Sequence, residues 1–443
     1  MKRLVLVIAA FLFTAVLLAA AFWSTGRSAS FLDLDAGSQV EQIVQGPGSQ
    51  STAVPVSDSS SEVTGETGAT SATQMAAPQQ PATGVMTPTP GGEDTRTTRR
   101  IEGIWLNERE VEALPPLSAE IMQWAERSLR IRIGDQDNQA DAVAVAAAYA
   151  CLKSGEEHYC ERVREILEEL SAVDVQGRKT LALNRNLAGY VVAADLIDYR
   201  DPAFTKWLQE LIHKETWNAW TDEWSVYHTA MAEPTNGGCH ARASVTAVAL
   251  YTEDEALLNE VANRFHDWLG RSGEGWLWDL DESWWQSEEG PALYNGVNPV
   301  GATLLIDGHV RNVDGVLPED MKRSGRPEYP FPEEGYVREC QQGMVAAAWM
   351  LQRAGYPAFE WQDRAVLRSF RWFVEEAEGE YSGDDSGLPY LIRYIYGVDY
   401  TSDIARPGKN GLGFYDWTHG EGRFQFDDQT LQHSNSSGDI NHE

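Results

Sequence analysis

The 443 residues carry 67 acidic against 35 basic side chains, a formal net charge of −32, and only seven of the basic residues are Lys. Such a surface repels phosphates and anionic headgroups over a Debye length of about 8 Å at physiological ionic strength, so neither nucleic acid nor an acidic membrane face is expected as a partner. The length exceeds one typical domain, but the first quarter differs in composition from the rest, so the folded part is shorter than the chain.

Residues 1–23 begin "MKR" and continue as an apolar run from Leu4 to Trp23, long enough to cross a bilayer. This reads as an export signal, either cleaved near "LAAA" or kept as an anchor that tethers the chain through residues 4–23. The expected location is therefore extracellular or periplasmic. Residues 24–100 are rich in Ser, Thr, Pro and Gly without apolar periodicity and are expected to be a disordered linker, and 421–443 a polar tail. The folded body is placed at 101–420.

Within it, helical periodicity dominates, and nine amphipathic segments follow in order. "SAEIMQWAERSLRI" has Ser118 as N-cap, and "NQADAVAVAAAYACLKSG" stops at Gly155. Then come "EEHYCERVREILEELSAV", "LALNRNLAGYVVAADLIDY", "DPAFTKWLQELIHKETW", "ARASVTAVALYT", "DEALLNEVANRFHDWLG", "GYVRECQQGMVAAAWMLQRAGY" and "EWQDRAVLRSFRWFVEEAEG". Short turns between many of them make antiparallel hairpins. Stacked as a solenoid they should show a fixed repeat, and none is present. The expected fold is therefore all-α, an α/α toroid, an incomplete barrel of helix hairpins.

Four cysteines in an exported chain permit disulfides. Cys151 and Cys160 flank the turn "CLKSGEEHYC", and Cys239 and Cys340 each lie beside a polar helix start, which a bond between them would join. No spaced Cys, His or carboxylate set suggests a metal, and no cofactor is expected. His158, His213 and His266 sit among charged residues on helices and read as solvent-facing.

A toroid presents its cleft where helix ends and loops converge. The longest connection, from Gly270 to about Glu334, is rich in Trp, and Trp284 and Trp285 are expected to stack on sugar rings. The stretch "EPTNGGCHARASVTAVAL" brings Asn236, His240 and Arg242 to a helix start, where a carboxylate would be received. Further candidates for substrate contact are Asn184 and Arg185 in "LALNRNLAGY", and Lys409, Trp417 and His419 in "RPGKNGLGFYDWTHG". For that last loop the alternative is a fastening role, closing the C-terminus onto the toroid.

Asn, His, Arg and Tyr together suit β-elimination from a uronic acid polymer. Donors stabilise the enolate-like carboxylate, a base takes the C5 proton, and an acid protonates the departing O4. "IEGIWLNEREVEALP", "TNGGCHARASVTAVALYTEDEALL", "DGVLPEDMKRSG" and the Tyr at the start of "GYVRECQQGMVAAAWMLQRAG" resemble the alginate lyase family of polysaccharide lyases over most of 101–420. The resemblance implies catalytic roles for Asn236, His240, Arg323 and Tyr336, with Tyr329 in "RPEYPFPEE" as the rival of Tyr336. The substrate it implies is an anionic, uronate-containing polysaccharide. Two other readings remain: a toroid glycoside hydrolase with paired carboxylates such as Asp279, Asp281, Glu282 or Asp314, and a non-catalytic glycan-binding protein.

Overall fold

The computed structural model describes Arg96 and residues 99–217, 224–271, 296–321, 327–332, 334–401, 412–422 and Phe424. The expected signal at 1–23, nearly all of the linker and most of the C-terminal tail lie outside the described residues. Arg96 and Arg100 both pair with Glu255, at 2.8 and 2.9 Å.

Four hairpins form the body. The helix α3 (Ala140–Ser154) turns into α4 (Glu157–Ser171), and α5 (Thr180–Leu196) into α6 (Pro202–Leu211). In the same way α8 (Asn236–Tyr251) turns into α9 (Glu255–Trp268), and α11 (Gly335–Arg353) into α12 (Trp361–Arg371). Ahead of these lie α1 (Glu108–Ala113) and α2 (Ala119–Ala125), and between them α7 (Val226–Ala232) and α10 (Pro318–Met321). Two short helices, α13 (Leu388–Tyr396) and α14 (Tyr415–Thr418), follow.

Burial separates the hairpins into two layers. Every residue of α8 is buried, as are nearly all of α3 and α5, so these helices have neighbours on all sides. Their partners bury one stripe only: Tyr159, Val163, Leu167 and Leu170 on α4, and Phe204, Leu208 and Leu211 on α6. In the inner layer α3 packs on α5, α5 on α8 and α8 on α11. This inner arc with its outer helices is the expected α/α toroid. Ser118 caps α2 and Gly155 ends α3 in the left-handed region, as the sequence predicts.

The gap between α11 and α3 is bridged by the two ends of the body. On one side Trp349 Nε1 donates to the Trp105 carbonyl (2.9 Å), and the buried Arg353 holds the carbonyls of Glu102 and Gly103 and the Glu110 carboxylate. On the other, Phe414 and Trp417 pack on Tyr149 of α3, and Trp417 Nε1 donates to the Pro116 carbonyl (3.3 Å). Trp105 touches Tyr415 and His419 at 5.7 Å between ring centroids, so the two segments meet.

The long connection also holds two strands that the helical reading did not foresee, β1 (Thr303–Ile306) paired antiparallel with β2 (His309–Asn312). Their turn is Asp307-Gly308, both at positive φ (51° and 76°), the primed geometry that matches strand twist.

Candidate active site

The helix α8 begins at Asn236, five residues before the "ARASVTAVAL" run where periodicity places its start. The stretch "NGGCH" is thus its first turn. Residues four apart on a helix share a face, about 5–6 Å between Cβ atoms, so Asn236 and His240 are neighbours despite the residues between them. The intervening glycines have a local cause. A Cβ on Gly238 would lie 1.8 Å from the Glu233 carbonyl oxygen, so the incoming chain crosses directly over the first turn. Gly238 thus serves the approach of the chain's own backbone, and Gly237 that of the Glu233 carboxylate, 2.7 Å from where a Cβ would stand. Asp320 of α10 closes the turn by accepting from the Asn236 backbone N–H (3.0 Å), which brings the "LPED" segment to this helix start.

Two adjacent bonds join α8 to α11. Cys239 and Cys340 are disulfide-linked with Cα atoms 5.4 Å apart, and Cys151 is linked to Cys160 across the α3–α4 turn. Flanking the first bond, His240 Nε2 lies 3.3 Å from Glu339 Oε2, and the same oxygen is 3.3 Å from Arg185 Nη2 on α5. Asp137, ahead of α3, faces Arg185 Nη1 at 3.9 Å. Burial works to raise the Glu339 carboxyl. The His240 hydrogen bond and charge, with Arg185 and Arg338, outweigh it and hold the group below the usual carboxylate range.

Beside this cluster is a small open recess. Arg185, His240, Gln342 and Tyr415 supply its polar lining, and Ala188, Ala243, Gly343 and Ala346 its small apolar side. Gln342 donates its amide to Asp385 Oδ1 (2.6 Å), and Arg338 Nε donates to Oδ2 of the same carboxylate (3.2 Å). Burial raises the Tyr415 hydroxyl above its ordinary value, so it stays an O–H donor at any working pH. Tyr336 is 44% exposed and stands one turn before Glu339 on α11, with its backbone N–H capped by Glu334.

Of the residues singled out in the sequence, the structure therefore brings His240 and Arg185 into the recess, with Asn236 one turn before His240 and Tyr336 six residues before Gln342 on its helix. It corrects several others. Arg242 is fully buried and donates to the carbonyls of Ala230 (3.2 Å) and Glu233 (3.0 Å), its guanidinium 4.7 Å from the Trp268 ring centroid. Two residues past His240 it stands about 200° around the helix, away from the recess. Burial, then the nearby Arg264, bring it down to about 9.

Asn184 is buried between helices, its carbonyl accepting from Ser244 (2.8 Å), and does not line the cleft. Trp417 and His419 are buried in the seam, which supports the fastening alternative. His419 is ringed by Trp105, Trp349 and Tyr394, and its Nδ1 bonds Thr418. Tyr329 carries the Arg311 guanidinium 3.5 Å from its ring centroid. His266, expected in solvent, stacks on Trp361 at 4.2 Å. Asp314 is committed to Arg368 (2.5 Å) and to the Gly301 N–H, not to a carboxylate pair.

Arg323, Trp284, Trp285 and Lys409 lie outside the described residues, as do Asp279, Asp281 and Glu282. Glu339, Gln342 and Tyr415 were not foreseen. The one signal for Glu339 was its place beside Cys340, as His240 is beside Cys239.

No family model and no curated protein matches this sequence. Among the solved structures similar to it are two of an alginate lyase. Alginate lyase A1-III from Sphingomonas species A1 is 10% identical, over 64% of this chain and 76% of that one, at a TM-score of 0.44. A histidine-to-alanine variant of alginate lyase A1-III complexed with a tetrasaccharide is 11% identical, over 70% of this chain and 88% of that one, at a TM-score of 0.44. Likeness of that degree says nothing of the chemistry in the recess.

Proposed function

We propose that this protein is a polysaccharide lyase that cleaves a uronic-acid-containing polymer by β-elimination. The observation that supports this most is the convergence of His240, Arg185 and Tyr415 on one recess, with Asn236 one helical turn before His240 and Tyr336 one turn before Glu339. In this reading the substrate carboxylate meets the Asn236 amide, the Arg185 guanidinium and the Tyr415 hydroxyl, which stabilise the charge that develops on it.

With its Nε2–H donated to Glu339, neutral His240 carries its lone pair on Nδ1 and takes the C5 proton from there. The C5–H electrons become the C4=C5 double bond as the C4–O4 bond breaks. Tyr336 gives its hydroxyl proton to O4, and is restored by the proton on His240. No water is consumed. Arg323 enters only by its sequence motif, three residues after the Asp320 that caps Asn236. Export, with a tether at residues 4–23, belongs to the same proposal. The two disulfides support it, since such bonds persist in oxidising compartments.

The test is a panel of uronate polymers, including alginate blocks, glucuronan, pectate and glycosaminoglycans, followed by ultraviolet absorbance. Appearance of a 4,5-unsaturated uronate supports the lyase. Reducing ends without that chromophore would replace it with a hydrolase, and binding without cleavage with a glycan-binding protein.

A further inference from the structure

We infer that Glu339 is a positioning residue that fixes the tautomer and angle of the His240 imidazole, and that the adjacent Cys239–Cys340 bond holds the two in register. The role in turnover rests on the lyase reading above; the effect on the imidazole does not.

The groups are carried by different helices, 99 residues apart in sequence, yet they meet at 3.3 Å. Three contacts set that meeting. The disulfide joins the residue before His240 to the residue after Glu339. Gly343, one turn beyond Glu339, brings the α11 backbone against Cys239 and His240 so closely that an added Cβ would be 2.4 Å from the His240 nitrogen. Arg185, from α5, holds the same Oε2 that faces the imidazole.

The charged groups facing Glu339 are thus His240 from α8, Arg185 from α5 and its own neighbour Arg338, and all three favour the ionised carboxylate. An ionised acceptor at Nε2 requires the proton to sit there, which places the basic lone pair on Nδ1. It also stabilises the imidazolium formed once the substrate proton is taken. The Glu339 side chain is only 24% exposed, and among the described residues His240, Arg185 and Arg338 answer its charge.

The test uses Glu339→Gln, which keeps an acceptor and loses the charge, and Glu339→Ala, which loses both. Imidazole nitrogen resonances of ¹⁵N-histidine-labelled protein, with His240 assigned by its absence in His240→Gln, are followed from pH 4 to 9 without substrate. In Glu339→Gln the His240 titration should move down by about one pH unit. In Glu339→Ala the Nε2–H signature should give way to mixed tautomers. On the polymer that proves active, kcat should fall about 100-fold in Glu339→Ala with KM within about 3-fold, and the acid limb of kcat/KM should follow the imidazole titration downward. A His240 titration and tautomer unchanged in both variants would overturn the inference. Because that spectrum needs no turnover, failure to find any cleaved polymer would count against the lyase reading alone.

Discussion

Replacing Gly343 by Ala tests the helix contact on which the site depends. At an ordinary helical position the change gains about 1 kcal/mol, since Gly is the poorer helix former. Here the new Cβ would meet the Cys239 carbonyl carbon and His240 nitrogen at 2.4 Å and the Cys239 oxygen at 2.7 Å. These are backbone atoms of a helix buried on every side, so no side chain can swing aside. Restoring van der Waals contact needs α8 and α11 to separate by about 1 Å, against a disulfide that ties Cys239 itself to Cys340, three residues before Gly343, and overpacking of this kind costs about 1–3 kcal/mol or more. The packing term exceeds the propensity gain, so net destabilisation of about 1–2 kcal/mol is expected. A shift of about 1 Å at His240 should lower kcat about 100-fold. Gly335→Ala is the control, because its Cβ would meet nothing nearer than Arg338 Nη2 at 3.8 Å. Urea unfolding monitored by Trp fluorescence gives the stabilities, and the unsaturated-product assay the rates. Wild-type stability and turnover in Gly343→Ala would refute the close approach of the two helices.

Tyr336→Phe should abolish turnover with little change in melting temperature, because the side chain is 44% exposed; retained activity would remove it as the acid. Arg242→Met should cost about 2–4 kcal/mol in urea unfolding, because the Ala230 and Glu233 carbonyls lose their donor, while leaving KM of the folded enzyme near wild type; a stable variant with a raised KM would restore Arg242 to the substrate. His419 is held neutral in the seam, lowered to about 3 by burial and then by Arg353. Its contribution is therefore fully present above the unfolded value of about 6.5 and is lost as pH falls toward 3, at most about 5 kcal/mol. Urea midpoints at pH 7 and 4 should differ less in His419→Asn than in wild type; equal pH dependence would exclude it.

The hairpins were legible because outer helices such as "EEHYCERVREILEELSAV" bury a single stripe, and the inner ones read as apolar runs with few interruptions. The site was legible where it is local. Asn236 and His240 share one helical turn, and the same geometry, with 100° per residue, explains why Arg242 points the other way. What joins distant helices was not legible: Glu339 is one of 67 acidic residues until α11 is laid on α8, and Tyr415 reaches the recess only because the chain returns past Trp105. The β1–β2 turn does carry a sequence signal, the "DG" in "LLIDGHVRN", set in a chain dominated by helical periodicity.

The seam between the two ends of the body governs when the recess can exist. Leu412 and Tyr415 form part of its wall, and they belong to a segment that must find residues 101–106, which are translated some three hundred residues earlier. A nascent chain that has not yet released residues 412–419 lacks this part of the wall, so its recess has a missing side. A truncation ahead of Leu412 would therefore leave the recess with an unfinished wall.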